Sequence, residues 1–262
     1  MRSSILRSKN LFIRAITHTD MGCVRRNNED NAGFTFIKGS KNDFIAMLAD
    51  GMGGYERGEE ASEAMIHEIF TGTSQKIDRN PRRWLLNMLQ KANSDICTMS
   101  QQQGVVMGTT CTTLLIWRKR VWCAHIGDSR IYLLSKGKLR QLTDDHTVVG
   151  AMMREGALGA AEAAVHPKRS VLTKAIGTGA RIEPDIFKLQ TTLRRGDRFL
   201  LCSDGLYDLV SDAEICTLLS QTSLRKAAAS LTDTAKRKGG YDNITVVIVE
   251  IDKKKGENSD EA

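Results

Sequence analysis

The stretch Phe44-Ile45-Ala46-Met47-Leu48-Ala49-Asp50-Gly51-Met52-Gly53-Gly54 constrains this chain more than any other. Its small and apolar residues read as a buried strand. The strand delivers a carboxylate to its end. Three glycines then let backbone approach a ligand closely. That is one way to build a metal or phosphate site. An ordinary strand followed by a glycine turn is the other reading, and on this stretch alone the two stand level.

The chain has 262 residues, 41% hydrophobic and 26% charged, which is the composition of a soluble globular protein. The length could hold two small domains. However, no Pro/Ser-rich linker divides residues 11–251, and there are only 3 prolines. The simpler expectation is one domain over residues 11–252, large enough to bury a substantial core. Residues 1–10 read as a basic N-terminal arm and residues 253–262 as a disordered polar tail.

The formal net charge is +7, but the basic residues are scattered and aromatics make up only 5%. No basic stripe is interleaved with aromatics, which argues against a nucleic-acid surface. A positive field that attracts anionic substrates stays open. The 6 cysteines form no C-x-x-C pair. They read as reduced, buried thiols of a cytoplasmic protein, not as a disulfide frame or zinc site. No segment approaches the ~20 apolar residues of a membrane span, and the N-terminus lacks a signal-peptide core.

Strand-like runs cover Leu11 to Thr17, Ala32 to Ile37 and Phe44 to Ala49. A helix is expected from about Glu56 to Phe70, with Ala61, Ala64, Met65 and Ile69 on its apolar face. Pro81 suits the first turn of a second helix. Its stripe is Leu85, Met88, Leu89, Ala92, Ile96 and Met99. Thr110 to Trp117, Val121 to Ile126, Arg130 to Leu134 and Lys138 to Leu142 read as a meander. Residues 143–180, alanine- and glycine-rich with weak helical patches, read as an irregular insertion over a sheet edge. Ile186 to Thr191 and Asp197 to Cys202 follow as strands. Asp212 to Ser220 and Ser223 to Lys238 follow as helices, and Ile244 to Ile251 as a last strand. This order is α+β with antiparallel sheet, not the alternation of a doubly wound fold. Two sheets face to face, each covered by a helical pair, use the inventory.

The aspartates sharpen the picture. Asp50, Asp128 and Asp204 each follow an expected strand, and Asp242 precedes one. Glu29 and Asp30 lie in the charged loop before the second strand. Carboxylates brought together repel, so a cluster of them needs cations. Oxygen-only donors select Mg²⁺ or Mn²⁺ over Zn²⁺. Two such ions can activate a bridging water for displacement at phosphorus. The histidines show no metal-binding spacing, and His125 reads as a core or sheet residue. No phosphate loop and no G-x-S-x-G occur. Gly127-Asp128-Ser129 admits a serine esterase, but no histidine follows His166 to serve as a base near the C-terminus.

In order along the chain stand Thr19-Asp20-x-Gly22-x-x-Arg25-x-x-Asn28-Glu29-Asp30, Ala49-Asp50-Gly51-Met52-Gly53-Gly54, Gly108-Thr109-Thr110 and Gly127-Asp128-Ser129-Arg130. They are followed by Leu142-Thr143-x-Asp145-His146, Leu172-Thr173-x-Ala175-Ile176-Gly177, Ser203-Asp204-Gly205-Leu206 and Asp242-Asn243-Ile244-Thr245. Together these motifs resemble the metal-dependent Ser/Thr protein phosphatases (PPM, or type 2C) in their bacterial form, over residues 12 to 251.

The resemblance implies a four-layer α/β/β/α sandwich of two mainly antiparallel sheets, with residues 143–180 as a flap. It implies a centre of two core Mn²⁺ or Mg²⁺ ions and a third, weaker one. Asp50 would bridge the core ions, with the Gly51 carbonyl on one of them. Asp204 and Asp242 would hold one ion, Glu29 and Asp30 would lie beside the other, and Asp128 with Asp204 would bind the third. Arg25 would pair with the substrate phosphate, a role suited to a planar bidentate donor. Arg25, Asp50 and Asp204 would thus carry catalysis.

The implied reaction is direct attack of metal-bound water on phosphoserine or phosphothreonine in proteins, reversing a Ser/Thr kinase. The implied setting is the cytoplasm, as a monomer, with no nucleic-acid or membrane partner. A catalytically silent phosphoprotein binder is the alternative. One departure stands out: where eukaryotic members carry D-G-H, with a histidine proposed as general acid, this chain has Met52, which cannot donate a proton. Water on the third ion is the candidate in its place.

Overall fold

Local pattern and long-range pairing agree over most of the chain. The computed structural model describes residues 2–7, 12–40, 43–52, 57–73, 77 and 80–252. The elements run β1 (Arg2–Arg7), β2 (Phe12–Asp20), β3 (Asp30–Phe36), β4 (Phe44–Asp50), α1 (Gly58–Gly72), α2 (Pro81–Gln103). Then come β5 (Cys111–Trp117), β6 (Arg120–Ile126), β7 (Arg130–Ser135), β8 (Lys138–Gln141), α3 (Val148–Arg154), α4 (Ala160–Val165) and β9 (Asp185–Lys188). The last are β10 (Arg198–Cys202), α5 (Asp204–Tyr207), α6 (Asp212–Leu219), α7 (Leu224–Arg237) and β11 (Ile244–Asp252).

One sheet has the order β1-β2-β11-β10-β7-β8 and the other β3-β4-β5-β6-β9. Every pairing between these strands is antiparallel. The inner faces pack Ile13, Phe44, Leu48, Leu114, Phe199 and Val247 into one apolar layer. Alternate residues of β4 and β5, such as Ile45, Met47 and Leu115, face α1 and α2 through Met65, Leu85 and Leu89. On the other side Tyr132, Leu200 and Val246 meet Ile215, Ala228 and Leu231 of α6 and α7. The α2 stripe read from the sequence is buried from Leu85 to Ile96, with Met99 packed at its edge. Asn80 caps that helix and Gly104, in the left-handed region, ends it. The result is the four-layer α/β/β/α sandwich.

Two local expectations change, and the helical patches of the insertion take definite form. The basic arm is instead a strand over Arg2–Arg7, paired with β2 so that Arg7 lies opposite Phe12. It covers the otherwise open ladder edge of β2. The strand expected over Ile186 to Thr191 ends at Lys188. The insertion at 143–180 contains α3, α4 and two anchored ends. Arg130 holds Asp145 through paired contacts at 2.9 and 2.6 Å. Thr109 and Ile176 exchange backbone hydrogen bonds of 3.0 and 2.9 Å. The expected tail over 253–262, the start of the first helix at Glu56, and Gly53 and Gly54 lie outside the described residues.

The cysteine expectation holds in part. All six are free; Cys111, Cys123 and Cys202 are buried, Cys97 and Cys216 are half-buried, and Cys23 is exposed. Among the described residues no helix is long and apolar enough to cross a membrane.

Candidate metal centre and substrate cleft

Antiparallel pairing draws distant acids to one end of the sandwich. Asp30 opens β3 and Asp50 closes β4, and the two are direct register partners. Asp204 begins α5 just after β10, and Asp242 stands just before β11, the strand paired with β10. Asp128 follows β6 through Gly127, whose φ of 107° and close approach to Thr110 require glycine. Asp50, Asp128, Asp204 and Asp242 line one cleft of ≈ 690 Å³ together with Arg25, Gly51 and Met52. The segment from Arg169 to Ala175 also lines it.

The backbone around Asp50 is fixed on every side. Its N–H donates to the Thr110 hydroxyl at 3.0 Å. Its carbonyl accepts from the Thr110 N–H and the Thr109 hydroxyl, both at 2.8 Å. The Gly51 N–H donates to the Glu29 carbonyl at 3.1 Å. A Cβ on Gly51 would stand 2.3 Å from the Gly58 carbonyl oxygen and 2.7 Å from that of Glu29, so no larger residue fits.

The carboxylates hold their protons against one another. Burial pushes the Asp50 carboxyl well above the usual range, with Asp30 and Asp204 adding repulsion. Asp204 is likewise pushed well above it, by burial and then by Asp128 and Asp242. Burial raises Asp128 to about 7, with Asp145 adding to the effect. Asp30 rises to about 6 through burial, against the pull of the Ser203 hydroxyl. Glu29 is raised by burial and by Glu59. This is the electrostatic demand that cations satisfy.

The donor set fits hard divalent ions. It is all oxygen, and Asp30 Oδ1 is buried without a hydrogen-bond partner among the described residues. Among those residues, no three His, Cys, Asp or Glu side chains close around one point as a ready cage. An open floor of this kind leaves positions for a backbone carbonyl and for water, which Mg²⁺ in particular retains.

The predicted residues divide by place. Asp50, Gly51, Asp128, Asp204, Asp242 and Arg25 meet at the cleft. Asp30 lies beneath it, 5% exposed, and accepts from Ser203 Oγ at 2.7 Å. Glu29 is half-buried and does not line the cleft; its carboxyl lies against Gly58. Arg25 donates to Asp242 Oδ2 at 2.7 Å.

Sequence reasoning gave no role to Asn243, which organises the loop carrying Arg25. Its Nδ2 donates to the Met21 and Asn27 carbonyls, and its Oδ1 accepts from the Glu29 N–H, all at 2.9 Å. Nor did it assign Lys236, which donates to Asp20 Oδ2 at 2.8 Å while Asp20 Oδ1 accepts from the Gly22 N–H. The signal was present in the D-N-I-T and T-D-x-G motifs, but the contacts span more than 200 residues.

His125 is a buried sheet residue, its ring bonded to Thr112 and to the Asp144 carbonyl. Burial lowers it to about 4, so it stays neutral. Ser129 is fully buried against Thr110 at 2.8 Å, which removes the esterase nucleophile.

A family model described as protein phosphatase 2C matches residues 24–239. The serine/threonine phosphatase Stp of Listeria welshimeri is 36% identical over 245 residues, covering 88% of this chain and 93% of that protein. The crystal structure of the serine/threonine phosphatase PstP of Mycobacterium tuberculosis superposes with a TM-score of 0.82 at 37% identity, covering 92% of this chain and 99% of that one. The chain belongs to the protein phosphatase 2C family. It is a phosphoric monoester hydrolase of the serine/threonine protein phosphatase class. The catalytic domain of PstP in complex with two manganese ions also matches this phosphatase, with a TM-score of 0.81 at 34% identity, covering 92% of this chain and 99% of that one. Met52, at the position where eukaryotic members of the resembled family carry histidine, is half-buried in the cleft with its methyl group over Gly108.

Proposed function

We propose that this phosphatase hydrolyses phosphoserine and phosphothreonine in proteins at the Asp50 cleft, reversing a Ser/Thr kinase in the cytoplasm as a monomer. The observation that carries the reading is the convergence of Asp50, Asp128, Asp204 and Asp242 with Arg25 in one cleft. Asp50, the Gly51 carbonyl, Asp204 and Asp242 would hold two Mn²⁺ or Mg²⁺ ions, with Glu29 and Asp30 behind them. Asp128 with Asp204 would hold a third, weaker one. Bound ions supply neutralising charge at the phosphoryl oxygens and a water acidic enough to attack. The catalytic domain of PstP carries two manganese ions in a fold of this kind.

The chain's own groups do the rest. Arg25 orients the phosphoryl group through its fork of donors. Thr109 and Thr110 hold the Asp50 backbone, which limits how far the centre of the carboxylate floor has to reorganise. Ser203 and Asn243 hold Asp30 and the Glu29 backbone in place.

The test is hydrolysis of p-nitrophenyl phosphate and of a phosphothreonine peptide with Mn²⁺, then with EDTA. Turnover lost on chelation and restored by Mn²⁺ is expected. Turnover that ignores EDTA overturns the reading, and binding of the peptide without turnover returns the silent binder.

A further inference from the structure

We infer that Tyr241 determines which phosphoproteins the cleft accepts. It would do so by contacting the side chain next to the phosphorylated residue. The inference rests on the phosphatase reading above and names the substrate class: an extended segment with an apolar residue beside its phosphoserine or phosphothreonine.

Tyr241 lines the cleft beside Arg25 and Asp242 and is 64% exposed. An aromatic ring left in water at the mouth of a site is a ready contact for a partner. This ring is not loose. It lies on Gly239, where an added Cβ would stand 2.4 Å from Tyr241 Cζ. Gly239 and Gly240 both have positive φ, 129° and 53°, which turns the chain sharply out of α7. The turn is tied on both sides. The Gly240 N–H donates to the Ala235 carbonyl at 3.1 Å, and its carbonyl accepts from the Cys23 N–H at 2.7 Å. A seated ring loses little freedom on contact, so its apolar area converts efficiently into affinity.

The surroundings extend the lip. Val171, which lines the cleft, is an exposed large apolar residue, and so are Val24 and Met21 on the loop that carries Arg25. A phosphorylated side chain reaching Arg25 and the carboxylate floor therefore brings its neighbours near Tyr241 and Val171, both lining the cleft. Continuity of Tyr241 with the cleft commits the lip to the substrate itself.

The experiment uses the full chain with Mn²⁺ and two phosphothreonine peptides that differ only in the residues flanking phosphothreonine, valine in one and glycine in the other. The wild-type enzyme is expected to favour the valine peptide in kcat/KM by about tenfold, the size of a good aromatic contact. Tyr241→Ala brings that ratio close to one, and Tyr241→Phe retains it, because the ring and not the hydroxyl makes the contact. A wild-type ratio near one, or a ratio unchanged in Tyr241→Ala, overturns the inference. A lower oligomeric state of Tyr241→Ala in sedimentation also overturns it, since a second copy would then cover the lip. Hydrolysis of neither peptide by the wild type would instead reject the phosphatase reading itself.

Discussion

Arg25 and Asp242 form an ion pair, Nη2 to Oδ2 at 2.7 Å, at the edge of the carboxylate floor. The arginine suited to phosphate thus rests on a carboxylate suited to a cation. The two side chains are 39% and 33% exposed. A pair this wet is worth under about 1 kcal/mol, whereas a charge-assisted contact to a phosphate oxygen is worth about 1.5–3. On the proposed reading, Arg25 would leave Asp242 for a phosphoryl group at little cost. Arg25→Ala is expected to lower kcat/KM for a phosphopeptide by about 10- to 150-fold, mainly through KM. Arg25→Lys recovers only part, since it keeps the charge and loses the fork. Steady-state kinetics of the three enzymes checks this, and equal activity of Arg25→Ala and wild type would remove the phosphate role.

Asp50 and Asp204 repel their neighbours as well as inviting cations. Asp50→Asn or Asp204→Asn is expected to abolish metal-dependent hydrolysis with the fold retained. Each should also raise the melting temperature of the EDTA-treated protein, because an amide relieves charge repulsion in the cluster. Circular dichroism and thermal melts with EDTA check the fold. Full activity of either variant would sink the site assignment.

The fold and most of this floor were legible in the sequence because they follow from short-range pattern. The α2 stripe from Leu85 to Ile96 has a helical period, and Phe44 to Ala49 is uninterrupted apolar strand. Strand-end aspartates need only a sheet to bring them together. What stayed hidden is what pairing decides. The register that sets Asp30 against Asp50 is a property of the β3–β4 hairpin as folded. Asn243 has no legible role in the sequence until its three partners arrive from Met21, Asn27 and Glu29. The strand at Arg2–Arg7 exists because β2 offers it a free edge.

Stability without metal should fall as pH rises. The carboxyls of Asp30 and Asp128 stand at about 6 and about 7 in the fold, against an ordinary value of 3.8. A raised folded value means protonation favours the fold. That contribution is complete below the ordinary value and is lost as pH climbs through about 6 to 7. With Mn²⁺ the trend reverses, because ionised carboxylates bind the ion and the bound form is stabilised. Melts between about pH 5 and about pH 8, with EDTA and with Mn²⁺, should show opposite slopes. A flat EDTA profile would mean the acids do not interact as described.

Asn243 is 5% exposed and spends both donors and its acceptor on the Arg25 loop. Asn243→Ala leaves two carbonyls and one N–H short of partners and should cost about 2–3 kcal/mol of stability. Asn243→Asp keeps only the acceptor, so it should lose a similar share of stability, but its added carboxylate beside Asp242 favours a cation, so Mn²⁺ affinity should not fall in step. Urea unfolding and Mn²⁺ titration separate the two effects. Wild-type stability in Asn243→Ala would show that the loop holds itself.

Met52 leaves the departing serine or threonine oxygen without a histidine to protonate it. A thioether has no proton to give. Asp128, which lines the same cleft after β6 and whose carbonyl accepts from the Tyr207 hydroxyl at 3.1 Å, marks the region we propose supplies one. General acid catalysis matters in proportion to the basicity of the leaving oxygen. A serine alkoxide needs the proton, and p-nitrophenolate leaves without it. Asp128→Ala is therefore expected to lower kcat on a phosphoserine peptide by about 100-fold or more, and on p-nitrophenyl phosphate far less. Parallel kinetics on the two substrates decides it. An equal loss on both would make Asp128 a structural or general metal-site residue, and unchanged peptide turnover would remove it from the reaction, leaving the proton to come from solvent entering past Met52.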